Sequence, residues 1–412
     1  MQVSVPKQIV PLDSILPDEP LLMMGAGPVP VPARVAAANG IVINHLGDTM
    51  AQIIEQVKIM SRYVFQTQNG YILGVAGPGS AAMEMAVANL VVPGSKVLSI
   101  CNGFFSHRLA EMALRLEADV VKLEVAQGFT ADLDVVEQYL IQHRPQVMTI
   151  VQGETSNTVC NHNLAAITKL AKQYDCLVIV DAVCTLSTMP LDMDEWGIDA
   201  VITGGQKGLS CIPGISLVGF SEQAWQLIQS RTDQLRHWCL DAKLAEQFWY
   251  KKSYHYTAPV SGILAIHEAM RLIINETLPV RFDRHLRCSQ ALQAGIEALG
   301  LQLFVKPHNR LNSVVGIEVP DGIDAKAVLK YMSSRYRVEI SGSFGPNIVR
   351  IGQMGEQCRA HNLFRTLHAL GASFISMGCK LDLPAGVAAL ESTLDRYEFP
   401  PEQHLSAVNA IK

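Results

Sequence analysis

Leu177-Val-Ile-Val-Asp181, followed after a polar interval by Thr203-Gly-Gly-Gln-Lys-Gly-Leu209, decides how this chain is read. The first piece is an unbroken apolar run that ends on an acid. Such a run, without alternation, reads as a strand buried on both faces. The second piece sets Lys207 among glycines just after the apolar Val201-Ile202. A lysine at the end of a buried strand is a poor place for a solvated charge. The same position suits an amine that condenses with an aldehyde, and the glycines let backbone and a flat ring come close. Taken alone, either piece has a plainer account, a loop lysine and an ordinary strand end, because short matches recur by chance.

Together the two pieces point to pyridoxal 5′-phosphate. That cofactor needs a lysine for its aldehyde, a carboxylate to hold its ring nitrogen protonated, and an anion site for its phosphate. The surrounding sequence supports a suitable scaffold. Apolar runs at Tyr71–Val75, Lys96–Ile100, Val120–Val125, Val147–Val151 and Leu177–Val180 alternate with helical stretches. The helices are expected over Ala51–Phe65, Ser80–Val91, Ser106–Ala118, Leu133–His143 and Leu164–Tyr174. This alternation predicts an α/β fold, a mostly parallel sheet sandwiched by helices. Ligands in such sheets bind at the carboxyl ends of strands, where Asp181 falls. Residues 1–30 are rich in proline and read as an N-terminal arm. Residues 31–285 read as the large cofactor-binding domain, and 286–412 as a smaller α+β domain. The expected strands of the latter lie at Leu301–Val305, Ser313–Val319, Arg337–Ser341 and Asn347–Gly352.

The bulk numbers narrow the class. At 412 residues the chain is long enough for a large domain with a smaller partner. A hydrophobic content of 49% with 17% charged residues reads as folded and core-rich. The net charge of −5, with no long basic run, gives no reason to expect nucleic acid or an anionic membrane as partner. No apolar stretch reaches the roughly 18 residues that span a bilayer, and the first residues lack the pattern of a secretory leader. Nine scattered cysteines without a C-x-x-C pair read as reduced thiols, so a cytoplasmic protein is expected. Twelve histidines show no H-x-x-x-H spacing, and no metal is expected.

Further segments carry chemistry. Gly77-Pro-Gly-Ser80 lies between a strand and a helix, where unpaired N–H groups and close-packing glycines suit a phosphate. A turn with an N-cap is the commoner fate of such a segment. Gly77, Gly79 and Ala82 also match a dinucleotide fingerprint, but that reading needs an acid about twenty residues on. None stands around Ser99–Asn102, so a simple phosphate anchor is preferred. Asn102-Gly-Phe-Phe-Ser-His-Arg108 offers an aromatic that stacks on a ring or joins the core. Gln152-Gly-Glu-Thr-Ser-Asn157 places hydroxyls and an acid at the same sheet edge, and Tyr254-His-Tyr-Thr257 brings further hydroxyls before a helix. Arg350 is a charge inside the apolar Ile348–Ile351 run. It needs a counter-ion, either a substrate carboxylate gripped in bidentate fashion or a structural acid.

In this order the segments resemble class V aminotransferases, specifically the alanine–glyoxylate/serine–pyruvate group. The likeness runs from Gly25-Ala-Gly-Pro28 to beyond Arg350 and includes Val180-Asp-Ala-Val183, Asp194–Asp199, Gly205-Gln-Lys-Gly208 and Arg350-Ile-Gly-Gln-Met-Gly355. It implies the fold type I of pyridoxal-phosphate-dependent transferases. Lys207 then corresponds to the Schiff-base lysine, Asp181 to the partner of the ring nitrogen, and Phe105 to the stacking aromatic, often tryptophan in the family. Gly79, Ser80 and Gln206 correspond to phosphate contacts, and Thr155 and Val183 to ring contacts. Tyr254 and Thr257 resemble a pair that reaches the phosphate from the neighbouring subunit, which implies a homodimer with shared sites. Arg350 matches the arginine that holds the substrate carboxylate. Two departures stand out: Gly205 replaces a usual serine, and Cys211-Ile-Pro-Gly214 replaces Pro-Pro-Gly.

The activity implied is ping-pong transamination from a small amino acid, such as alanine or serine, to a small keto acid, glyoxylate or pyruvate. Lys207 would serve as general base and acid, with its pKa lowered by burial. Pyridoxamine–pyruvate and ureidoglycine–glyoxylate transamination are alternatives, as is a binding protein of the same fold without turnover. A cysteine desulfurase would need a cysteine in Ser341-Gly-Ser-Phe-Gly-Pro346, and none is there.

Overall fold

A computed structural model of the protein describes residues 9–396; positions 1–8 of the expected arm and 397–412 of the expected small domain lie outside the described residues. Seven strands make the central sheet: β1 (Tyr71–Ala76), β2 (Lys96–Cys101), β3 (Asp119–Glu124), β4 (Val147–Val151), β5 (Leu177–Asp181), β6 (Ala200–Ile202) and β7 (Ile215–Phe220). Their spatial order is β1-β7-β6-β5-β4-β2-β3. Every neighbouring pair is parallel except those of β7, which runs antiparallel to both β1 and β6. In β4, β5 and β7 every residue is buried, which explains why these runs are apolar without alternation. The edge strand β3 carries Lys122 and Glu124, charges that discourage pairing with another chain.

The helices α1 (Asp48–Phe65), α2 (Gly79–Leu90), α3 (Phe104–Arg115), α4 (Leu133–His143) and α5 (Leu164–Gln173) connect or flank these strands, and α6 (Val260–Glu276) packs against α1. Local chemistry sets their ends. Asp132 caps α4 by accepting from the Asp134 N–H at 2.9 Å. One cluster of buried apolar side chains extends from Val35 to Leu278. A second joins Met24 to residues from Cys288 to Leu390. The long helix α7 (Leu278–Leu299) enters both clusters, burying Leu278 in the first and Leu292, Ile296 and Leu299 in the second.

The smaller sheet holds β8 (Val314–Glu318), β9 (Ser341–Gly342) and β10 (Ile348–Gly352), all antiparallel, in the order β8-β10-β9. Helices Ala325–Tyr331, Ala360–Ser376 and Leu383–Asp395 accompany it. Two expected strands differ. Leu301–Val305 forms no strand; Leu303 bridges to Ile317, flanked by two backbone hydrogen bonds to β8, and the pairing stops before the 3₁₀ turn at Pro307–Asn309. Arg337–Ser341 is split. Val338–Glu339 pairs in parallel with Leu22–Met23 near the N-terminus, and the chain then switches sheets so that Ser341–Gly342 pairs with β10. No described helix is long and apolar enough to cross a membrane.

Candidate active site

The carboxyl ends of β4, β5 and β6 open into a cavity of about 310 Å³. Its wall takes Gly79 and Ser80 from the start of α2, and Phe105 and Arg108 from the first turns of α3. The strand ends contribute Thr155, Asp181, Val183, Gln206 and Lys207, and the N-terminal segment adds Gly27 and Pro28. Residues spread over most of the sequence thus meet at one sheet edge.

Lys207 points at the N-terminal segment, where its Nζ donates to the Ala26 carbonyl. Gly27 has φ +101°, and a Cβ there would run into the Lys207 side chain, within 2.7 Å of its Cδ. Only glycine leaves the amine room at that backbone conformation. Burial holds the amine below its ordinary pKa; Arg350 acts in the same direction, while Cys184 and Asp181 oppose. Asp181 ends β5 with 5% exposure. Its Oδ1 accepts from the Val183 N–H at 2.8 Å. Burial pushes its pKa up to about 7, against the pull of that N–H; Glu154 adds to the rise, and Lys207 and Arg108 oppose it. A carboxyl so placed lacks a positive partner of its own strength.

On the opposite wall two backbones touch. A Cβ on Gly79 would meet Val183 Cγ2 at 2.9 Å, and one on Gly204 would meet the Gly79 Cα at 3.1 Å. The start of α2 is thereby pressed against the loop that carries Lys207. Ser80 lies at that start, and the buried Gln206 Oε1 has no hydrogen-bond partner.

Phe105 is fixed by a buried acid. Glu154 is fully buried; its Oε2 accepts from the N–H of Phe105 (3.1 Å) and Ser106 (2.9 Å), and its Oε1 from the N–H (3.1 Å) and hydroxyl (2.6 Å) of Ser156. It caps α3 from outside the helix, where a negative charge is favoured. Arg350 is 4% exposed. It donates through Nε to the Gly342 carbonyl at 2.7 Å and through Nη1 to the Thr155 carbonyl at 2.6 Å. No described carboxylate forms an ion pair with it, and burial lowers its pKa to about 10, opposed by Glu154. Phe344 lies over its guanidinium at 5.4 Å and stacks on Phe104 at 4.9 Å.

The comparisons with known proteins cover nearly the whole of this frame. The family profile described as Aminotransferase class-V matches residues 34–379. The chain belongs to the class-V aminotransferases. Within them it falls in the alanine–glyoxylate group. It is 35% identical over 358 residues to the alanine–glyoxylate aminotransferase of Oryctolagus cuniculus, covering 85% of this chain and 91% of that one. Among solved structures, the ureidoglycine–glyoxylate aminotransferase of Bacillus subtilis superposes with a TM-score of 0.89 at 31% identity, over 95% of this chain and 100% of the other. The pyridoxamine–pyruvate aminotransferase of Mesorhizobium loti gives 0.88 at 26% identity, over 92% and 99%. The fold is type I, and the enzyme is a transaminase dependent on pyridoxal 5′-phosphate.

The residues of this aminotransferase fit that cofactor. The cavity offers an amine, an acid with no cation paired to it, an amide whose Oε1 has no partner and a glycine cradle that a Cβ would fill. Tyr254 and Thr257 do not line it. Both are exposed, Tyr254 at 56%, with its ring edge-on to His45. Gly205 has no room for a side chain, since a Cβ would lie 2.5 Å from the carbonyls of Ile212 and Ile215. Cys211 is buried in the large core and does not face the cavity. Sequence reasoning missed Gly27 and Arg108 on the wall and the buried Glu154 behind it. Gly27 stood in a segment noted only for its likeness to the family. Glu154 and Arg108 were quoted without a role, although Arg108 follows Phe105 by one helical turn and so shares its face.

Proposed function

We propose that this aminotransferase moves an amino group from a small amino acid, such as alanine or serine, to glyoxylate or pyruvate. It does so as a cytoplasmic homodimer in which Tyr254 and Thr257 complete the neighbouring subunit's site. The observation that carries the reading is the meeting of Lys207, Asp181 and the cradle of Gly79, Ser80 and Gln206 in one cavity, with Arg350 beside it. The catalytic unit is the span 31–285, supported by a small domain from 286 and the arm of residues 1–30. Bound there, pyridoxal phosphate supplies an aldehyde that takes up the amino group and a ring that accepts electrons from the substrate's Cα–H bond.

The chain's own groups do the rest. Lys207, an amine held below its ordinary pKa by burial, takes the proton from substrate Cα and returns one on the far side of the exchange. Asp181 keeps the ring nitrogen protonated; a cation there gives its buried carboxylate the partner it lacks. Phe105 stacks on the ring, Thr155 and Val183 bracket it, and Gly79, Ser80 and Gln206 hold the phosphate. Arg350 grips the substrate carboxylate. Its two bonds to carbonyls use two of five guanidinium N–H groups and orient the remaining fork. The small cavity and the aromatic Phe105 favour small side chains. The nine free cysteines accord with a reducing compartment.

Purified protein incubated with alanine and glyoxylate should yield pyruvate and glycine, with the bound cofactor's visible band bleached by alanine alone. A band that no amino acid bleaches would favour a binding protein. The reading fails if only ureidoglycine, or only unphosphorylated pyridoxamine, is accepted as donor.

A further inference from the structure

The phosphate subsite of the preceding reading has a deficit. Ser80, Gln206, Tyr254 and Thr257 are all uncharged, while a phosphate monoester carries about −1.5 to −2 charges at neutral pH. Enclosing such a group without a counter-charge costs heavily. Lys207 and Arg350 have other duties, so the compensating cation must be sought elsewhere on the wall.

Arg108 stands one helical turn beyond Phe105 and faces the cavity. Its Nη1 donates to Ser80 Oγ at 3.0 Å. Its guanidinium lies 5.1 Å and 4.9 Å from the ring centroids of Phe104 and Phe105, which hold the plane in position. No carboxylate among the described residues forms an ion pair with it. Of the two buried acids of the site, Glu154 has both oxygens engaged by Phe105, Ser106 and Ser156, and Asp181, on which the Arg108 charge acts, forms no ion pair with it and accepts from the Val183 N–H. A half-buried guanidinium beside two aromatic rings, bonded to a serine at a helix start, is suited to an oxyanion.

We propose that Arg108 is a binding residue of the phosphate subsite, supplying the counter-charge for the cofactor phosphate and orienting the Ser80 hydroxyl towards the same oxygens. This rests on the reading of the cavity as the pyridoxal-phosphate site. It also makes Arg108 a determinant of phosphorylated over unphosphorylated cofactor.

The test is fluorescence titration of cofactor-stripped protein with pyridoxal 5′-phosphate and, separately, with pyridoxal, for wild type, Arg108→Gln and Arg108→Lys. Arg108→Gln should raise the Kd of the phosphorylated form by roughly 10- to 100-fold, the loss expected for one hydrogen bond to a charged group. The Kd of pyridoxal should stay within about twofold. Arg108→Lys should recover part of the loss and carries the comparison alone if Arg108→Gln does not fold. Equal weakening of both ligands would assign Arg108 to holding Phe105 in place and overturn the proposal. So would unchanged cofactor affinity with a raised KM for amino acids, which would place it on the substrate side. Wild-type protein that binds neither ligand would refute the cofactor reading itself.

Discussion

Asp181→Asn removes a buried ionisable group while preserving its volume and its acceptor for the Val183 N–H. In the cofactor-free protein the carboxyl has a pKa of about 7 against an ordinary 3.8, chiefly through burial. The folded state therefore binds more protons than the unfolded chain between these values. Stability from this group is fully present below about pH 4 and is lost as pH rises towards 7. Three units at 1.36 kcal/mol each give about 4 kcal/mol in all, of which roughly 2–3 kcal/mol falls between pH 5 and pH 8. The amide does not titrate. Urea unfolding of stripped wild type and variant at pH 5 and pH 8 should show wild type losing about 2–3 kcal/mol more, other groups cancelling in the difference. With cofactor bound this difference should disappear, because a carboxylate paired with the protonated ring nitrogen takes up no proton between pH 5 and pH 8. Turnover of Asp181→Asn should fall more than about 100-fold, roughly 2.7 kcal/mol in barrier. Parallel pH profiles for the two stripped proteins, or activity within about tenfold of wild type, would refute the reasoning.

Borohydride reduction of the loaded enzyme, followed by peptide mapping, should label Lys207; label on Lys251 or Lys252 would displace the assignment. Arg350→Lys keeps a charge but loses the fork, so KM for every α-amino and α-keto acid should rise about 10- to 100-fold, with the cofactor spectrum unchanged. Unchanged KM with a lowered melting temperature would make Arg350 purely structural, a strut between Gly342 and Thr155. Glu154→Gln offers one acceptor where the carboxylate offered two; thermal unfolding should show a loss of about 1–3 kcal/mol, and a melting temperature within a degree of wild type would contradict its capping role.

The sheet was legible because its strands are short apolar runs punctuated by glycine, and each of Tyr71–Val75, Lys96–Ile100 and Leu177–Val180 lies within an observed strand. Lys207, Asp181, Gly79 and Ser80 were legible for a related reason: they sit at strand ends or helix starts, which sequence marks well. Arg108 was not, since its partner Ser80 lies 28 positions away and nothing local announces the meeting. Glu154 reads from sequence only as an acid at the sheet edge; its function as a cap for α3 exists only once β2 and β4 are neighbours. The split at Arg337–Ser341 was equally hidden, because the first half pairs with residues near the other end of the chain.

That pairing has a consequence for how the enzyme is made. Ala26, whose carbonyl receives the Lys207 amine, is anchored by its own N–H to Ser341 Oγ, 315 positions further along. During synthesis the first-made segment therefore lacks this anchor until the small sheet has emerged, and is held to the large domain only by ties such as the Val29 N–H on the Gln206 carbonyl. The wall of the cavity that Gly27 and Pro28 form beside Ala26 is thus fixed from both ends of the chain, and a cofactor-binding site with all its contacts requires the residues up to Ser341.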